Sequence, residues 1–438
     1  MTFSSMFFLF RFLPIFFILY FVAPGRMKNI VLFFGSLFFC AWGSLRGTFF
    51  LLAATVLNYI WGLVIARCVK RTARNVWFFL GILCNLLLPT GLTIYTLQAL
   101  SYLTDCYCKK EQPQKNFMDF AVYFTLFVPL VAGPVVRYGQ IKQQVRERKP
   151  DALQISYGIK RFILGLAKTV LLANNLGFLW NEISAQNTGN MSVLTAWLGA
   201  LALTYQIYFA LSGYADMAIG LGAILGFTLP ENFDYPYRST SITNLGQRFA
   251  ITMVKWFQDY VYTPLVGEKK KWFRTLPSIL IVGLLLGLWL GRDISFVVFG
   301  VWFAFWIVLE NLGLKKLIDR LPKVLGRIYT MLIVMIGWIF FTMESWSKVT
   351  GYLFAMFGMN RAGLYDREGL FLASHSWILF LVAWVAATPI YQQLKHQLES
   401  SVNGAGIAFY RFLEKLIPAL LLLWSIAYCV DTPARLFY

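Results

Sequence analysis

The stretch YQIYFALSGYADMAIGLGAILGF, residues 205–227, is apolar almost throughout, yet it carries one carboxylate, Asp216. An ionisable side chain inside an apolar segment of this length is costly in a membrane and therefore marks a functional candidate. Such a carboxylate needs partners, so it either lines a site or belongs to a hydrogen-bond network between helices. Tyr214, two residues before it, is a second candidate. The stretch also contains glycines that allow helices to pack closely, namely Gly213, Gly220, Gly222 and Gly226.

The composition of the whole chain indicates a membrane protein. Of 438 residues, 58% are hydrophobic and 13% are charged, whereas soluble domains carry about 25% charged residues. The apolar residues occur in runs of about 18 or more, which is long enough to span a bilayer as a helix. The predicted apolar spans lie near 6–24, 29–45, 48–66, 76–103, 117–133, 162–180, 192–210, 213–229, 248–264, 276–291, 294–312, 325–343, 369–389 and 406–429. We therefore predict an all-α integral membrane protein with about ten to twelve crossings, the remaining helices being re-entrant or interfacial.

Basic residues are concentrated between the apolar runs, and the formal net charge is +19. They form groups at 67–74, 137–149, 267–274 and 315–327. This pattern is typical of cytoplasmic loops and of attraction to anionic lipids, and we expect the groups at 137–149 and 267–274 to be cytoplasmic. The alternative is a docking surface for an acidic partner or a phosphate-bearing donor. We expect no nucleic-acid partner, because no recognition fold accompanies the charge.

Cysteine and histidine usage indicates neither a metal site nor a disulfide framework. The chain has six cysteines and two histidines. Cys106 and Cys108 form a close pair with no matching second pair, so we expect reduced thiols and no bound metal. No repeat of fixed period is visible. We therefore predict one polytopic membrane domain over 1–438, with N-terminal helices in 1–88, a core in 89–311 and C-terminal helices in 312–438.

Two further stretches of the predicted core mix polar groups with apolar sequence. In LVAGPVVRYGQI, 130–141, Gly133-Pro134 breaks a helix before Arg137, which favours either a helix end or a broken helix that lines a cavity. The segment 230–265 begins as a proline-bounded loop and continues as an amphipathic helix. Lys255 and Asp259 lie four residues apart on that helix and are expected to pair. Its other polar candidates are Asn232, Gln247 and Arg248.

The last stretch is GLWLGR, residues 287–292, which closes an apolar run. Two further stretches are FCAWGSLRGTFFLLAATVLNYIWGLVIAR at 39–67 and TGLTIYTLQALSYLTDCY at 90–107. Together with the four stretches described above, in their order along the chain, they resemble the membrane-bound O-acyltransferase family. The likeness is greatest to the bacterial branch that O-acetylates alginate, and it runs from residue 2 to about 311. The resemblance implies a ring of tilted helices around a central tunnel. An acyl donor would enter from the cytoplasmic side and an acceptor hydroxyl from the other side.

The two histidines of the family are replaced at the matching positions. The resemblance implies a Trp-His-Gly block that carries the presumed general base, and this block reads Trp289-Leu290-Gly291 here. It also implies an Arg-Trp-His-Ile-Ser block, in which Ala250 stands at the histidine position. A positioned base contributes about 10²–10⁴ in rate, and neither Leu290 nor Ala250 can accept a proton. We therefore predict no catalytic residue at these positions.

Three functions fit these observations. We favour a non-catalytic subunit that serves binding, relay or assembly in the O-acetylation machinery of a cell-envelope polysaccharide. The second is an active O-acyltransferase with a substitute base, for which Asp216, Asp259 and Lys255 are candidates if their pKa values are shifted by burial. The third is a tunnel-type transporter. His375 and His396 lie far from the core stretches, and we expect neither to serve as the base.

The resemblance also implies ligands, partners and location. We expect no tightly bound cofactor, and an acyl donor in the form of acyl-CoA or an acyl carrier. The expected partners are membrane lipids and an extracytoplasmic acyltransferase-like protein or an acyl carrier protein. The expected location is the inner or plasma membrane, with multiple crossings. The residues predicted to line the tunnel or bind ligand are Arg137, Tyr214, Asp216, Asn232, Gln247, Arg248, Lys255, Asp259 and Trp289.

Overall fold

The computed structural model describes residues 2–25, 27–87, 94–129, 133–267, 271–291, 293–342, 345–390, 393 and 404–431. Within these ranges the chain is helical and forms no β-strand longer than a single bridge. The first ten helices are α1 Leu13–Val22, α2 Lys28–Gly43, α3 Leu45–Arg67, α4 Arg71–Leu87, α5 Ile94–Tyr107, α6 Phe117–Thr125, α7 Tyr138–Glu147, α8 Ala152–Ala167, α9 Asn174–Ser184 and α10 Val193–Ile224. The next ten are α11 Ile242–Gly246, α12 Ile251–Phe257, α13 Thr263–Val266, α14 Trp272–Leu290, α15 Ile294–Leu309, α16 Lys315–Ile318, α17 Lys323–Thr342, α18 Trp346–Met356, α19 Arg367–Ala386 and α20 Gly404–Asp431.

The described part contains eight helices that are long and apolar enough to cross a membrane. Two shorter apolar helices, Phe8–Val22 and Lys28–Gly43, accompany them. This confirms the predicted all-α integral membrane protein. The chain thus exposes much hydrocarbon on its helices, as a protein surrounded by lipid must.

The apolar runs 192–210 and 213–229 were predicted as separate spans, but they form one 32-residue helix, α10. It begins at Ser192, whose side chain caps the helix by accepting from the backbone N–H of Thr195. Glycine at position 213 weakens a helix by propensity alone, but here α8 packs directly against it. Tertiary packing therefore keeps the helix continuous.

Matching glycines bring α8 and α10 into backbone contact. A Cβ built on Gly213 would lie 2.7 Å from the carbonyl oxygen of Gly165, and one on Gly165 would lie 2.5 Å from that of Gly213. Gly158 and Gly220 repeat this reciprocal contact two turns away, at 2.6 Å in both directions. Any side chain would separate the helices, since such distances leave no room for a methyl group. The predicted close packing is confirmed for Gly213 and Gly220.

Helices α14 and α15 form a second close pair. A Cβ on Gly283 would lie 2.6 Å from the carbonyl oxygen of Gly300, and one on Gly287 would collide with that of Phe296. As the residue number rises on one helix it falls on the other, so the pair is antiparallel. The start of α14 and the end of α15 therefore lie on the same side, which brings the basic groups at 271–274 and 315–327 to one face.

Three other predicted spans are shorter or divided in the structure. The run 76–103 comprises α4 and α5, and residues 88–93 between them lie outside the described residues. The run 117–133 is helical only to Thr125, because Pro129 lacks an N–H and disfavours helix before it. The run 248–264 becomes α12, a π-helical segment and α13, which together are too short to count as a span.

Four π-helical segments interrupt the regular helices of the described chain. They are Phe8–Phe12, Lys168–Ala173, Gln258–Tyr262 and Glu310–Leu314. Segments of this kind are rare and often mark functional positions. Three of them contain an acidic or basic residue that joins a polar network described below.

Hydrophobic packing divides the described residues into two large clusters and one small one. The first joins α1 to α8 with the second half of α10. The second joins α9, the first half of α10, α15 and α17 to α19. The small cluster consists of Leu97, Val135, Trp256 and Phe257 with neighbours that include Trp289. The irregular segments of the predicted core therefore meet at this small cluster.

Candidate functional site

The segment from Asn232 to Thr252 folds back on itself around Ala250. Phe233 and Phe249 form an isolated antiparallel bridge. Ala250, immediately after it, adopts left-handed backbone angles of φ 49° and ψ 48° and is 9% exposed. Non-glycine residues rarely take this conformation, and histidine is among those that take it more often. The backbone at Ala250 thus holds a conformation that histidine adopts more readily than most residues.

Hydrogen bonds hold this turn against the broken segment 133–137. The Oδ1 atom of Asn232 accepts from both the backbone N–H and the hydroxyl of Thr252, at 3.1 and 2.7 Å. The hydroxyl oxygen of Thr252 in turn accepts from the backbone N–H of Val135 at 2.9 Å. Asn232 therefore has a structural role that satisfies the backbone of the turn. Two of the stretches singled out in the sequence are brought together here.

Leu290, the second position at which the resemblance implies a histidine, lies at the end of α14. Leu290 packs at the edge of the second hydrophobic cluster, to which Phe249 and Trp338 also belong. Trp289 instead packs against the small cluster, and its buried indole N–H has no acceptor among the described residues. An indole nitrogen can donate a hydrogen bond but cannot accept a proton. The block Trp289-Leu290-Gly291 thus contains a hydrogen-bond donor and an apolar side chain, and none of its side chains can act as a base.

Arg137 lies at the wall of a polar cavity of about 400 Å³, between the start of α7 and the helix that follows Ala250. Its guanidinium donates to Asp259 at 2.8 Å and to the backbone carbonyl of Lys255 at 3.1 Å, and it stacks over the Tyr260 ring. The Tyr260 hydroxyl donates to Asp105 at 2.8 Å. The remaining wall residues are Lys110, Glu111, Gly139, Gln140 and Thr263.

One prediction about this region needs correction. Asp259 and Lys255 were expected to pair, but Asp259 pairs with Arg137, and the described residues show no ion pair for Lys255. The π-helical turn Gln258–Tyr262 begins between them, so the four-residue spacing of a regular α-helix does not apply. Asp259 is therefore held as an ion-paired carboxylate in the cavity wall.

Asp105 is a carboxyl group of this cavity that sequence reasoning missed. It is 7% exposed, and burial raises its pKa, although the Tyr260 hydrogen bond and the charges of Lys110 and Arg137 lower it in part. A carboxyl whose pKa is raised by folding contributes stability in acid, and this contribution is lost as the pH rises through the raised pKa. Ionised Asp105 therefore lowers the free energy of unfolding at neutral pH.

The variant Asp105→Asn is expected to be more heat-stable than the parent at neutral pH. The amide oxygen still accepts from Tyr260, while the charge that burial disfavours is removed. The midpoint of thermal unfolding, measured in detergent between about pH 4 and pH 7, should show an advantage that grows as the pH rises. A difference that stays constant over this range contradicts the raised pKa.

Asp216 lies in a separate network between α8, α10 and the following loop. Lys168 donates to it at 2.6 Å and the Arg161 Nε–H donates at 2.7 Å. Arg161 also donates to Glu231 through two nitrogens, at 2.9 and 2.6 Å. Because both carboxylate oxygens already accept from cations, Asp216 has little capacity to act as a base. The expectation of a structural network is met, and a catalytic role for Asp216 finds no support in its contacts.

The remaining predicted residues are scattered. The hydroxyls of Tyr214 and Ser4 lie 3.2 Å apart within the first hydrophobic cluster. Arg248 pairs with Asp234 at 2.5 Å on the surface. Gln247 follows α11, and its backbone N–H donates to Asn244. These three therefore do not join the cavity that contains Arg137.

A second buried carboxylate was not predicted. Glu310 is 2% exposed and accepts from the backbone N–H groups of Ile242 and Thr243 at 2.6 and 2.9 Å, and from the Tyr329 hydroxyl at 3.2 Å. It caps α11 from a distant part of the chain. No local sequence signal reveals a cap of this kind, because the two capped N–H groups lie more than 60 residues from Glu310 along the chain. Of the two histidines, His375 stacks on Phe371 in α19, and His396 lies outside the described residues.

Comparison with known proteins identifies the family. Residues 108–354 match the model of the membrane-bound O-acyltransferase family, MBOAT. The probable alginate O-acetylase AlgI of Azotobacter vinelandii is 34% identical over 88% of this chain and 84% of the relative. That of Pseudomonas putida is 32% identical over 99% of this chain and 98% of the relative, so the likeness continues beyond residue 311. The peptidoglycan O-acetyltransferase of Helicobacter pylori is 26% identical over 83% of this chain and 81% of the relative. The chain therefore belongs to the membrane-bound O-acyltransferase family.

Proposed function

We propose that this protein is a non-catalytic membrane subunit of a machinery that O-acetylates a cell-envelope polysaccharide. Its similarity to proteins named as alginate O-acetylases and as a peptidoglycan O-acetyltransferase supports the substrate class. Its role would be to bind the acyl donor and to assemble or relay within the complex. The inner or plasma membrane is the proposed location, since an acyl donor is made in the cytoplasm and an envelope polysaccharide lies outside.

One inference carries the proposal: the two positions that the resemblance matches to the family's histidines hold no titratable side chain. Ala250 and Leu290 are hydrocarbon, and Leu290 packs against an aromatic cluster. The two carboxylates predicted as substitutes, Asp216 and Asp259, are ion-paired. An alcohol has a very high pKa, so transfer of an acyl group to it without a positioned base forgoes about 10²–10⁴ in rate.

The polar cavity supports a donor-binding role. Its wall contains the cations Arg137 and Lys110 and aromatic Tyr260 together with the carboxylates Asp105, Glu111 and Asp259. A phosphate of acyl-CoA or of an acyl carrier's prosthetic arm would bind Arg137 in competition with Asp259. The Trp289 indole, which lacks an acceptor, would supply a hydrogen bond to a carbonyl oxygen. Binding could therefore persist after the base is lost.

The test compares the parent protein with a variant in which both histidines are restored. We expect purified parent protein in phospholipid vesicles, given acetyl-CoA and a deacetylated polysaccharide, to transfer no acetyl above a protein-free blank. The double variant Ala250→His with Leu290→His is expected to raise transfer by about 10²–10⁴ over that blank. The left-handed backbone at position 250 accepts histidine without new strain.

A matched control is Ala250→Asn with Leu290→Gln, which introduces polar side chains that cannot take up a proton at neutral pH. It should remain inactive while binding acetyl-CoA as tightly as the parent does. Robust acetyl transfer by the parent protein rules out the non-catalytic function.

A second candidate is an active transferase with Asp105 as the base. The raised pKa of Asp105 and its place in the cavity favour this alternative, since a general base works best with a pKa near the working pH. In that case the parent transfers acetyl groups, and Asp105→Asn abolishes transfer while Asp216→Asn leaves it in place.

A further inference from the structure

A second cavity, of about 340 Å³, shares no lining residue with the cavity that contains Arg137. Its wall is largely one face of α17, to which Val324, Arg327, Ile328, Met331, Leu332 and Met335 contribute. Spacings of three and four residues place these side chains in one stripe along the helix. The rest of the wall is formed by Tyr205 of α10, Trp384 of α19, and Tyr237, Ala387 and Thr388. The cavity is thus a groove between three membrane-crossing helices.

The dimensions of the groove match one leaflet of a bilayer. From Val324 to Met335 the helix rises by about 16 Å, and half of a hydrocarbon core of about 30 Å is about 15 Å. Val324, Ile328 and Trp384 are exposed on the protein's outer surface, so the groove opens sideways, towards lipid. An acyl chain fits this position, because a groove facing hydrocarbon is filled by hydrocarbon.

Charge is placed at one end of the groove. Arg327 lies one turn from its start, is exposed, and forms no ion pair among the described residues. It belongs to a basic segment that also contains Lys315, Lys316, Arg320 and Lys323. A guanidinium group can bind a phosphate through two parallel hydrogen bonds, because its planar array of donors matches the phosphate oxygens. Basic pockets between membrane helices are recognised sites for anionic lipid head groups.

The wall of the groove also contains the hydroxyl group of Tyr205. Tyr205 is 7% exposed and lines the cavity, and its hydroxyl makes no hydrogen bond among the described residues. The neighbouring Tyr237 hydroxyl, by contrast, donates to the carbonyl of Thr204 at 2.7 Å. The Tyr205 hydroxyl is therefore available to donate a hydrogen bond within the groove, and an ester oxygen of a glycerolipid would accept it.

We propose that this groove binds one anionic phospholipid, with its phosphate on Arg327, an ester oxygen near Tyr205 and one acyl chain along α17 towards Met335. The site does not depend on whether the protein transfers acyl groups. Its ligand is a lipid rather than a free anion, because most of its wall is apolar.

The test uses the full-length protein in phosphatidylcholine vesicles that contain a phosphatidylglycerol with a photoreactive acyl chain. Labelling of α17 and α19 peptides, followed by mass spectrometry, is competed with unlabelled phosphatidylglycerol, phosphatidylcholine or inorganic phosphate. We expect phosphatidylglycerol to compete about fivefold better than phosphatidylcholine, and inorganic phosphate not to compete. Arg327→Gln should remove this preference, whereas Arg320→Gln, in the same basic segment but outside the groove, should keep it.

A second variant separates the acyl chain from the head group. Ile328→Trp places a larger side chain in the mouth of the groove at an exposed position, so the fold should persist while labelling of α17 falls several-fold. Equal competition by phosphatidylglycerol and phosphatidylcholine, an unchanged preference in Arg327→Gln, or displacement by inorganic phosphate would each overturn the proposal.

Discussion

The variant Asp216→Ala is expected to lose about 3–5 kcal/mol of unfolding free energy. Asp216 is 7% exposed and accepts from Lys168 and Arg161. Arg161 keeps Glu231 as a partner after the change, but Lys168 is left with a charge that has lost its carboxylate inside the protein. Removing one member of a buried ion pair is far more costly than the net value of the pair. Denaturation of the purified protein in mixed micelles measures the loss.

Two further variants identify the cause of that loss. In the double variant Asp216→Ala with Lys168→Met the unpaired ammonium is gone, so much of the stability should return. Asp234→Ala breaks the ion pair with Arg248, in which the Asp234 side chain is 55% exposed and the Arg248 side chain 33% exposed. This change should lower the free energy of unfolding by less than about 1 kcal/mol. An Asp216→Ala protein no less stable than Asp234→Ala would show that the network contributes little.

The variant Gly220→Leu is expected to disrupt the packing of α8 against α10. A Cβ at Gly220 would lie 2.6 Å from the carbonyl oxygen of Gly158 and 2.7 Å from the backbone nitrogen of Phe162. Both obstacles are backbone atoms, so no side-chain rotation makes room and α8 must move away from α10. Overpacking of this kind costs about 1–3 kcal/mol or more, and it should also disturb the Asp216 network between the same helices.

The thermal unfolding midpoint and the yield of monodisperse protein in detergent measure this effect. Gly246→Ala is the matched control, because a Cβ at Gly246 would meet no atom within 4 Å and alanine favours helix. It should leave the midpoint unchanged or raise it slightly. If Gly220→Leu behaves like Gly246→Ala, the two helices are not in backbone contact.

Much of the fold could be predicted from the sequence because long apolar runs and their helical packing obey simple rules. The apolar runs around 48–66, 276–291 and 369–389 reappear as α3, α14 and α19. The failures lie where tertiary contacts override local preference. The runs 192–210 and 213–229 were predicted as separate spans, but contact with α8 accompanies one continuous α10. Domain boundaries within the chain and the central tunnel stay predictions.

Less of the site could be predicted. The sequence placed Arg137 and Asp259 among the candidates, and the structure pairs them across the cavity. It did not reveal Asp105, Arg161 or Lys168, because a partner's identity depends on which helices cross, and this is not encoded by spacing along one helix. The replacement of the family's histidines at Ala250 and Leu290 remains an inference from resemblance, which the restoration experiment addresses directly.

The π-helical turns have a consequence for how polar groups sit in this hydrocarbon-rich protein. Each wide turn inserts one extra residue, which shifts the angular phase of every later side chain by roughly 100°. Lys168 and Asp259 both lie in such turns and reach ion-pair partners on other segments of the chain. Deleting one residue within such a turn would rotate the following helix by roughly 100°. Side chains that now face the protein interior would then turn towards lipid.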